Sequence, residues 1–287
     1  SFMKYRDRKP ALRAAALAAA ALMGLGLCSI PAAAEEEPQI QVITQTASSS
    51  ALVDPAQCNH YLTISEAGTY EEEGTYRQVV IEKGGVELKN KVIYNLFIRP
   101  EVNTQIIRLE NVTVTGNIYV YTGARVKMTD CQVAGITGRY DGSVNLYAIG
   151  DTTIENVLLN TDAFLWCEKL AEDAGAYQNV TVRSATSKYL NVTLNNAKVE
   201  NISTYLPTNL SVTKGSRVEN VTCYDQTAIL GTGEVGNLFA KSSGVTYEEE
   251  PEYIKTDESV SSTPRLSDEK LDDDSVSYNV VHEDWYK

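Results

Sequence analysis

Residues 110–133 read "ENVTVTGNIYVYTGARVKMTDCQV". Apolar and polar side chains alternate in three short runs: Val112 and Val114 flank Thr113, Ile118 and Val120 flank Tyr119, and Val126 and Met128 flank Lys127. A period of two, broken by Gly, Asn and Asp, marks short half-buried strands and not a helix. The same stretch contains Asn-Val-Thr, which returns at Asn179, Asn191 and Asn220, with Asn-Ile-Ser at Asn201. Either these are glycan acceptors or they count out a repeat.

The spacing favours the repeat. An Asn or Gly opens β-branched runs at Asn90, Asn111, near Val133, and at Asn156, Asn179, Asn201, Asn220 and Asn237, in steps of 21, 22, 23, 23, 22, 19 and 17 residues. Strands without helices at a period near 22 residues fit one full coil of a parallel β-helix. The expected fold is therefore all-β: a single right-handed parallel β-helix, a solenoid of about eight coils. Val, Ile and Leu would stack inside, and Thr, Tyr, Lys, Arg and Glu outside. The recurring Asn has a physical role at a corner, because it tolerates the left-handed backbone better than other residues with a side chain. Stacked coil on coil, its amides can also donate to and accept from one another. An Asn-x-Thr sequon follows from that pattern without any glycan.

The ends differ in composition from the repeat. Lys4, Arg6, Arg8, Lys9 and Arg13, the apolar stretch "AAALAAAALMGLGLCSI" and the Ala-x-Ala of "PAAAEEE" read as a signal peptide over residues 1–34. Residues 35–57 read as a flexible leader, 58–247 as the β-helix, and 248–287 as an acidic, mostly disordered tail. Residues 247–287 hold thirteen Asp/Glu against four Lys/Arg. Removal of the leader, with five cations and Asp7, takes the net charge from −13 to about −17. That balance argues against nucleic acid and anionic membrane surfaces as partners. It leaves no integral membrane segment after signal removal, and an exported, extracellular location.

Chemical motifs are sparse. Cys58, Cys131, Cys167 and Cys223 would remain, either as two disulfides or as small buried hydrophobes. "GTGEVG", Gly231 to Gly236, has the spacing of a dinucleotide loop, but "NLFAKSSGVTYEEE" after it lacks the helix that such a loop requires, so it reads as tight turns. His60 and His282 are the two histidines, with no nucleophile elbow and no metal-binding pattern beside them. No cofactor or metal is expected. A carbohydrate-cleaving site on a β-helix would need converging carboxylates with a basic partner, for which Asp130, Asp141, Asp151 and Glu155 with Arg139 or Arg183 are the candidates. Acidic residues at coil corners are more commonly turn formers. Seventeen tyrosines offer stacking surfaces for sugar rings, with Tyr119, Tyr121, Tyr140, Tyr147 and Tyr189 on or beside strands. Tyr119, Tyr121, Tyr140 and Tyr147 are the candidate ligand-facing residues. "AFLWCEKLAEDAGAYQ", residues 163–178, interrupts the repeat most and holds the one plausible helical turn.

"ELKNKVIYNLFIRPEVNTQIIRLENVTVTGNIYVYTGARVKMTDCQVAGITG", "AIGDTTIENVLLNTDAFLW", "AGAYQNVTVRSA" and "ILGTGEVGNLFAKSSGVTYEEEP" together resemble the right-handed parallel β-helix modules of Gram-positive bacterial surface proteins, often joined to S-layer homology domains. The likeness runs from about residue 79 to 251. It implies a structural or adhesive module at the cell surface, with a cell-wall or extracellular polysaccharide or another surface protein as partner and no catalytic residues to carry over. The chain departs from that pattern in showing no S-layer homology domain and no sorting signal. The expected function is thus a non-catalytic surface β-helix, with a carbohydrate-active β-helix as the rival.

Overall fold

The computed structural model describes residues 53–100, 106–121, 124–139 and 142–272. Their strands pair only in parallel, each with its counterparts one coil away. Thr153–Leu159, for example, lies between Gln132–Gly138 and Ala176–Val182. The result is a parallel β-solenoid of about ten turns. The one helical element among the described residues is the 3-10 turn Pro55–Gln57.

A coil follows directly from its sequence. In Lys198–Thr204, Val199, Ile202 and Thr204 are buried, but Glu200 and Asn201 both face out. Two outward residues in succession interrupt the period of two, and there the strand bends onto a new face. Stacking then aligns like with like: Val157, Val180, Ile202, Val221 and Leu238 occupy one register position and are all buried. Such aliphatic columns form the continuous core. Removing one member, Ile202→Ala, costs about 2–5 kcal/mol, because a rigid stack cannot collapse into the gap.

The recurrent Asn residues, expected as one class of corner, fall into two columns. Asn90 and Asn111 have φ of 56° and 51°, and are followed in register by Asp130 (53°) and Gly150 (61°). This is the sharp left-handed corner. Asn156, Asn179, Asn201, Asn220 and Asn237 lie within strands at the gentler bend, and Asn95 and Asn117 continue their column toward the N-terminus through Gly135. In that column Nδ2 of Asn201 donates to Oδ1 of Asn179 (3.0 Å), Asn220 to Asn201 (3.0 Å) and Asn237 to Asn220 (2.9 Å). The long amide ladder thus belongs to the bend, while the left-handed backbone belongs mainly to the other corner, where Nδ2 of Asn111 donates to Oδ1 of Asn90 at 2.9 Å.

Other expectations need correction. Residues 163–178 hold no helical turn: Ala163–Leu170 is a strand with Ala163, Leu165 and Cys167 inward, followed by Ala176–Val182. Stacking also continues past residue 247, which is one reason the coils exceed eight. Tyr253–Thr256 pairs with Glu234–Ala240, and Arg265–Leu266 with Val245–Tyr247. The acidic composition there is tolerated because Arg217 holds Glu252 (2.8 Å) and Lys241 holds Asp257 (3.2 Å). At the other end regular structure is already present before residue 58, with Pro55 buried in the turn Pro55–Gln57. The expected signal peptide, most of the expected leader, residues 273–287 and His282 lie outside the described residues.

The four cysteines are free and buried in the stack. Burial pushes the thiol of Cys131 up to about 12, and those of Cys167 and Cys223 to about 11. Of the two sequence readings, the buried-hydrophobe one describes them. "GTGEVG" forms a turn at Gly231 (φ 92°), and Gly236 lies in the strand Glu234–Ala240. Gly233 admits no Cβ, which would lie 2.5 Å from the carbonyl oxygen of Thr213.

Candidate ligand-binding face

The third corner, where one coil hands over to the next, carries the variable loops, among them 183–189 and 257–264. In stacked-repeat proteins such insertions gather on one face, which is often the binding face. The residue leaving the last strand of a coil donates its backbone N–H to the coil below, so the register of this edge is fixed by hydrogen bonds: Glu82 to Ile64, Arg99 to Ile81, Tyr121 to Ile98, Arg139 to Val120, Arg183 to Leu159, Tyr205 to Val182, Tyr224 to Thr204, Lys241 to Cys223 and Asp257 to Ala240. Asn160, the residue after Leu159, fills the place between Arg139 and Arg183. Cations and tyrosines therefore fill the middle of one column, between Glu82 and Asp257 at its ends, on a chain of net charge −13.

Their side chains are ordered by one another. The Arg99 guanidinium lies 5.7 Å from the Tyr121 ring centre, and that of Arg139 lies 5.1 Å from Tyr121 and 5.3 Å from Tyr119. Nη2 of Arg139 also donates to the Tyr121 hydroxyl at 3.1 Å. Tyr119 belongs to the adjacent outward column and stacks on Phe97 with 4.9 Å between ring centres and an interplanar angle of 18°. Further along, Arg183 lies 5.6 Å from the Tyr205 ring, and Tyr205 stacks on Tyr224 at 4.6 Å and 7°. Cation–π contacts of this kind are worth about 0.5–1 kcal/mol at exposed sites. Tyr205 and Tyr224 nevertheless remain 44% and 46% exposed. Arg99 and Arg183 are exposed as well.

Asn160 is the recessed member, 6% exposed, and its Oδ1 has no hydrogen-bond partner. A buried acceptor left unmet costs about 1–3 kcal/mol, so its position in the middle of the column is notable chemically.

Of the sequence candidates, Tyr119 and Tyr121 are brought together here. Tyr147 is not: although alternation directs it outward, it is 1% exposed and packs against Trp166 at 5.2 Å on another face. Its strand, Val144–Gly150, is buried on both sides except for the terminal glycine. Tyr140 and Asp141 lie outside the described residues. Tyr189 is exposed beside Pro207 and Asn209, around a shallow surface depression.

Asp130, Asp151 and Glu155, the carboxylate candidates among the described residues, lie away from the loop corner. Asp130 sits at the left-handed corner and accepts from the Asp151 backbone N–H at 2.8 Å, so its carboxylate shapes the turn. Asp151 and Glu155 are exposed on that side of the coil. His60 lies near the first coils, its Nδ1 3.2 Å from the carbonyl oxygen of Thr75. Among the described residues no three His, Cys, Asp or Glu side chains gather as metal ligands.

Sequence reasoning did not find Arg99, Asn160, Tyr205, Tyr224 or Lys241 as one set. The signal was present: each follows the last inward residue of a coil. Their separations vary with loop length, however, and no fixed period picks them out.

No protein family, curated protein or solved structure matches the chain. What the geometry itself defines is a class: a parallel β-solenoid carrying a stacked cation–tyrosine column at its loop corner.

Proposed function

We propose that this chain is an exported, surface-associated β-solenoid that binds an extended glycan and performs no chemistry on it. The observation that carries the reading is the column from Arg99 to Lys241, in which exposed rings and cations recur in step with the coils. Rings offer flat apolar faces to pyranose rings, and the repeat of the protein matches a ligand that is itself a repeat. Export is supported by the basic, apolar and Ala-x-Ala segments before Glu35. Association with the cell surface is what the resemblance to Gram-positive surface modules implies.

The test is a glycan-array screen of the exported protein beside a reducing-sugar and unsaturated-product assay. Binding without turnover is the expected result. Turnover abolished by Asp130→Asn or Asp151→Asn would overturn the reading in favour of a carbohydrate-active enzyme. N-terminal sequencing of protein from the medium or cell wall should begin at Glu35.

A further inference from the structure

The two ends of the solenoid are finished differently. At the first coils the turn Pro55–Gln57 packs on Gly74–Ile81 and Val86–Ile98, with Pro55 and Cys58 buried, and Tyr70 and Tyr76 lie half-buried against the core. At the far end the strand Tyr253–Thr256 pairs with Glu234–Ala240 below it, and no described strand lies above. Its inward residue Ile254 continues the column of Val157, Val180, Ile202, Val221 and Leu238, yet it is only half-buried where all five are buried. The Asp257 N–H donates down to the Ala240 carbonyl. Alternation along the strand then turns the N–H and C=O groups of Ile254 and Thr256 the other way, toward the open edge.

The chain comes back to that edge. Oε2 of Glu248 accepts from the backbone N–H of Gly231 at 2.6 Å and from that of Leu271 at 2.9 Å, so Gly231, Glu248 and Leu271 mark one corner in three successive coils. From this corner Leu238 comes seven residues after Gly231, and Ile254 six residues after Glu248. Five residues after Leu271 stands Val276, within "SVSYNVV", residues 275–281, where polar and apolar side chains alternate with the period of a strand.

We propose that residues 275–278 close this end of the solenoid as one further parallel strand over Tyr253–Thr256, with Val276 above Ile254, Tyr278 above Thr256, and Ser275 and Ser277 facing out.

A bare solenoid end leaves apolar side chains and unpaired backbone open to any passing strand, and stacked-repeat proteins need a distinct terminal cap. The tail meets both needs at once, since Val276 covers the half-buried Ile254 while its backbone satisfies the open edge. Tyr278 finishes an inward column as Tyr70, in register with Leu88, finishes one at the first coils.

The experiment reads amide hydrogen exchange by NMR in the full chain and in the full chain carrying Val276→Asp and Tyr278→Asp. In the parent chain the N–H groups of Ile254 and Thr256 donate to the carbonyls of Ser275 and Ser277. Their exchange should therefore quicken by about fivefold or more in the variant, the worth of one backbone hydrogen bond. Asp257, bonded to Ala240 in the coil below, should change less, and unchanged central coils establish that the variant is folded. A second measurement fixes the register. Tyr253→Cys with Ser275→Cys sets two Cα atoms about 4.8 Å apart on adjacent strands, within reach of a disulfide, whereas Tyr253→Cys with Ser277→Cys leaves about 8 Å. The first pair should close within one molecule on mild oxidation, and the second should not.

Equal exchange of Ile254 and Thr256 in the two chains, or equal crosslinking of the two pairs, would overturn the proposal. So would edge protection that is lost on dilution, or a disulfide formed between molecules, because the occupant would then be a second copy. No readout involves a glycan, so the proposed function stands or falls separately.

Discussion

Asn220 is the position where the amide ladder can be measured. It donates Nδ2–H to Asn201 Oδ1 at 3.0 Å and accepts from Asn237 Nδ2 at 2.9 Å. Asn220→Ala removes both bonds. At about 1 kcal/mol net per hydrogen bond the loss is about 2 kcal/mol, tempered because Asn237 Nδ2 retains the Glu219 carbonyl at 3.5 Å. Asn237→Ala removes the bond to Asn220 and the long one to the Glu219 carbonyl but leaves that of Asn220 to Asn201, so it should cost less, between about 1 and 2 kcal/mol. The isosteric Asn220→Asp separates the ladder from simple packing. Its carboxylate still accepts from Asn237 but confronts Asn201 Oδ1, which cannot turn round without breaking its own bond to Asn179. The folded state therefore favours the protonated acid, which can donate. Its folded pKa is raised above the unfolded value, so this variant is relatively stable at low pH and loses stability as pH rises through that interval. Urea denaturation from acid to neutral pH, with hydrogen exchange at coils 198–240 to detect local opening, reads all three variants. Equal losses for Asn220→Ala and Asn237→Ala, together with a pH-independent Asn220→Asp, would refute a directional ladder.

Three further outcomes follow from the same geometry. In a double-mutant cycle, Tyr205→Ala and Tyr224→Ala should show a coupling of about 1 kcal/mol, the worth of a stacked pair beyond its burial; additive losses would mean that the rings do not interact. At the last coils, the Arg217 guanidinium lowers the Glu252 carboxyl, and the Ser259 backbone and hydroxyl with Lys241 hold Asp257 at about 2, against 3.8 ordinarily. Both depressed acids stabilise the fold above their unfolded pKa values and lose that effect as pH falls, so amides of Tyr253–Thr256 should exchange faster from about pH 4 downward, before those of the central coils; uniform protection would contradict this. The cysteines should resist alkylation at pH 8 until denaturant is added, since Cys131, Cys167 and Cys223 are buried and their thiols are raised. A rapidly modified thiol lost in Cys131→Ser would show that the coil around it opens.

Much of the fold was legible because β-structure with one buried face imposes a local period. Val112, Val114, Ile118, Val120, Val126 and Met128 are all buried, as their alternation requires. What alternation cannot supply is register between coils. The pairing shifts between Ile93 and Asn95 and again between Val114 and Ile118, so counting back in even steps led to Asn111 and Asn90 instead of Asn117 and Asn95. Tyr147 shows a second limit. Its strand reads "VNLYAIG", nearly continuous in apolar residues, a composition that signals burial on both faces and outweighs the alternation. The cation–tyrosine column was hidden for a third reason, since its members become neighbours only once loops of unequal length have closed.

Lys91 defines the limits of what this architecture tolerates inside. It stands in register with Val112, yet it is 3% exposed, and its Nζ donates to the carbonyl oxygens of Tyr70, Glu72 and Lys89. Burial lowers its pKa. A cation accepted there ties three carbonyls together at the first coils, where no complete stack lies below.

The unequal loops have a consequence for how such a chain can change. Backbone bonds at the two other corners are made between coils and do not depend on how far the chain wanders between Arg183 and Leu190. Closing a longer loop costs only about 0.6 kcal/mol for each doubling of its length. Foreign segments can therefore be spliced in at 184–188 with the rungs on either side undisturbed, which makes this corner a natural insertion port for display of new sequences.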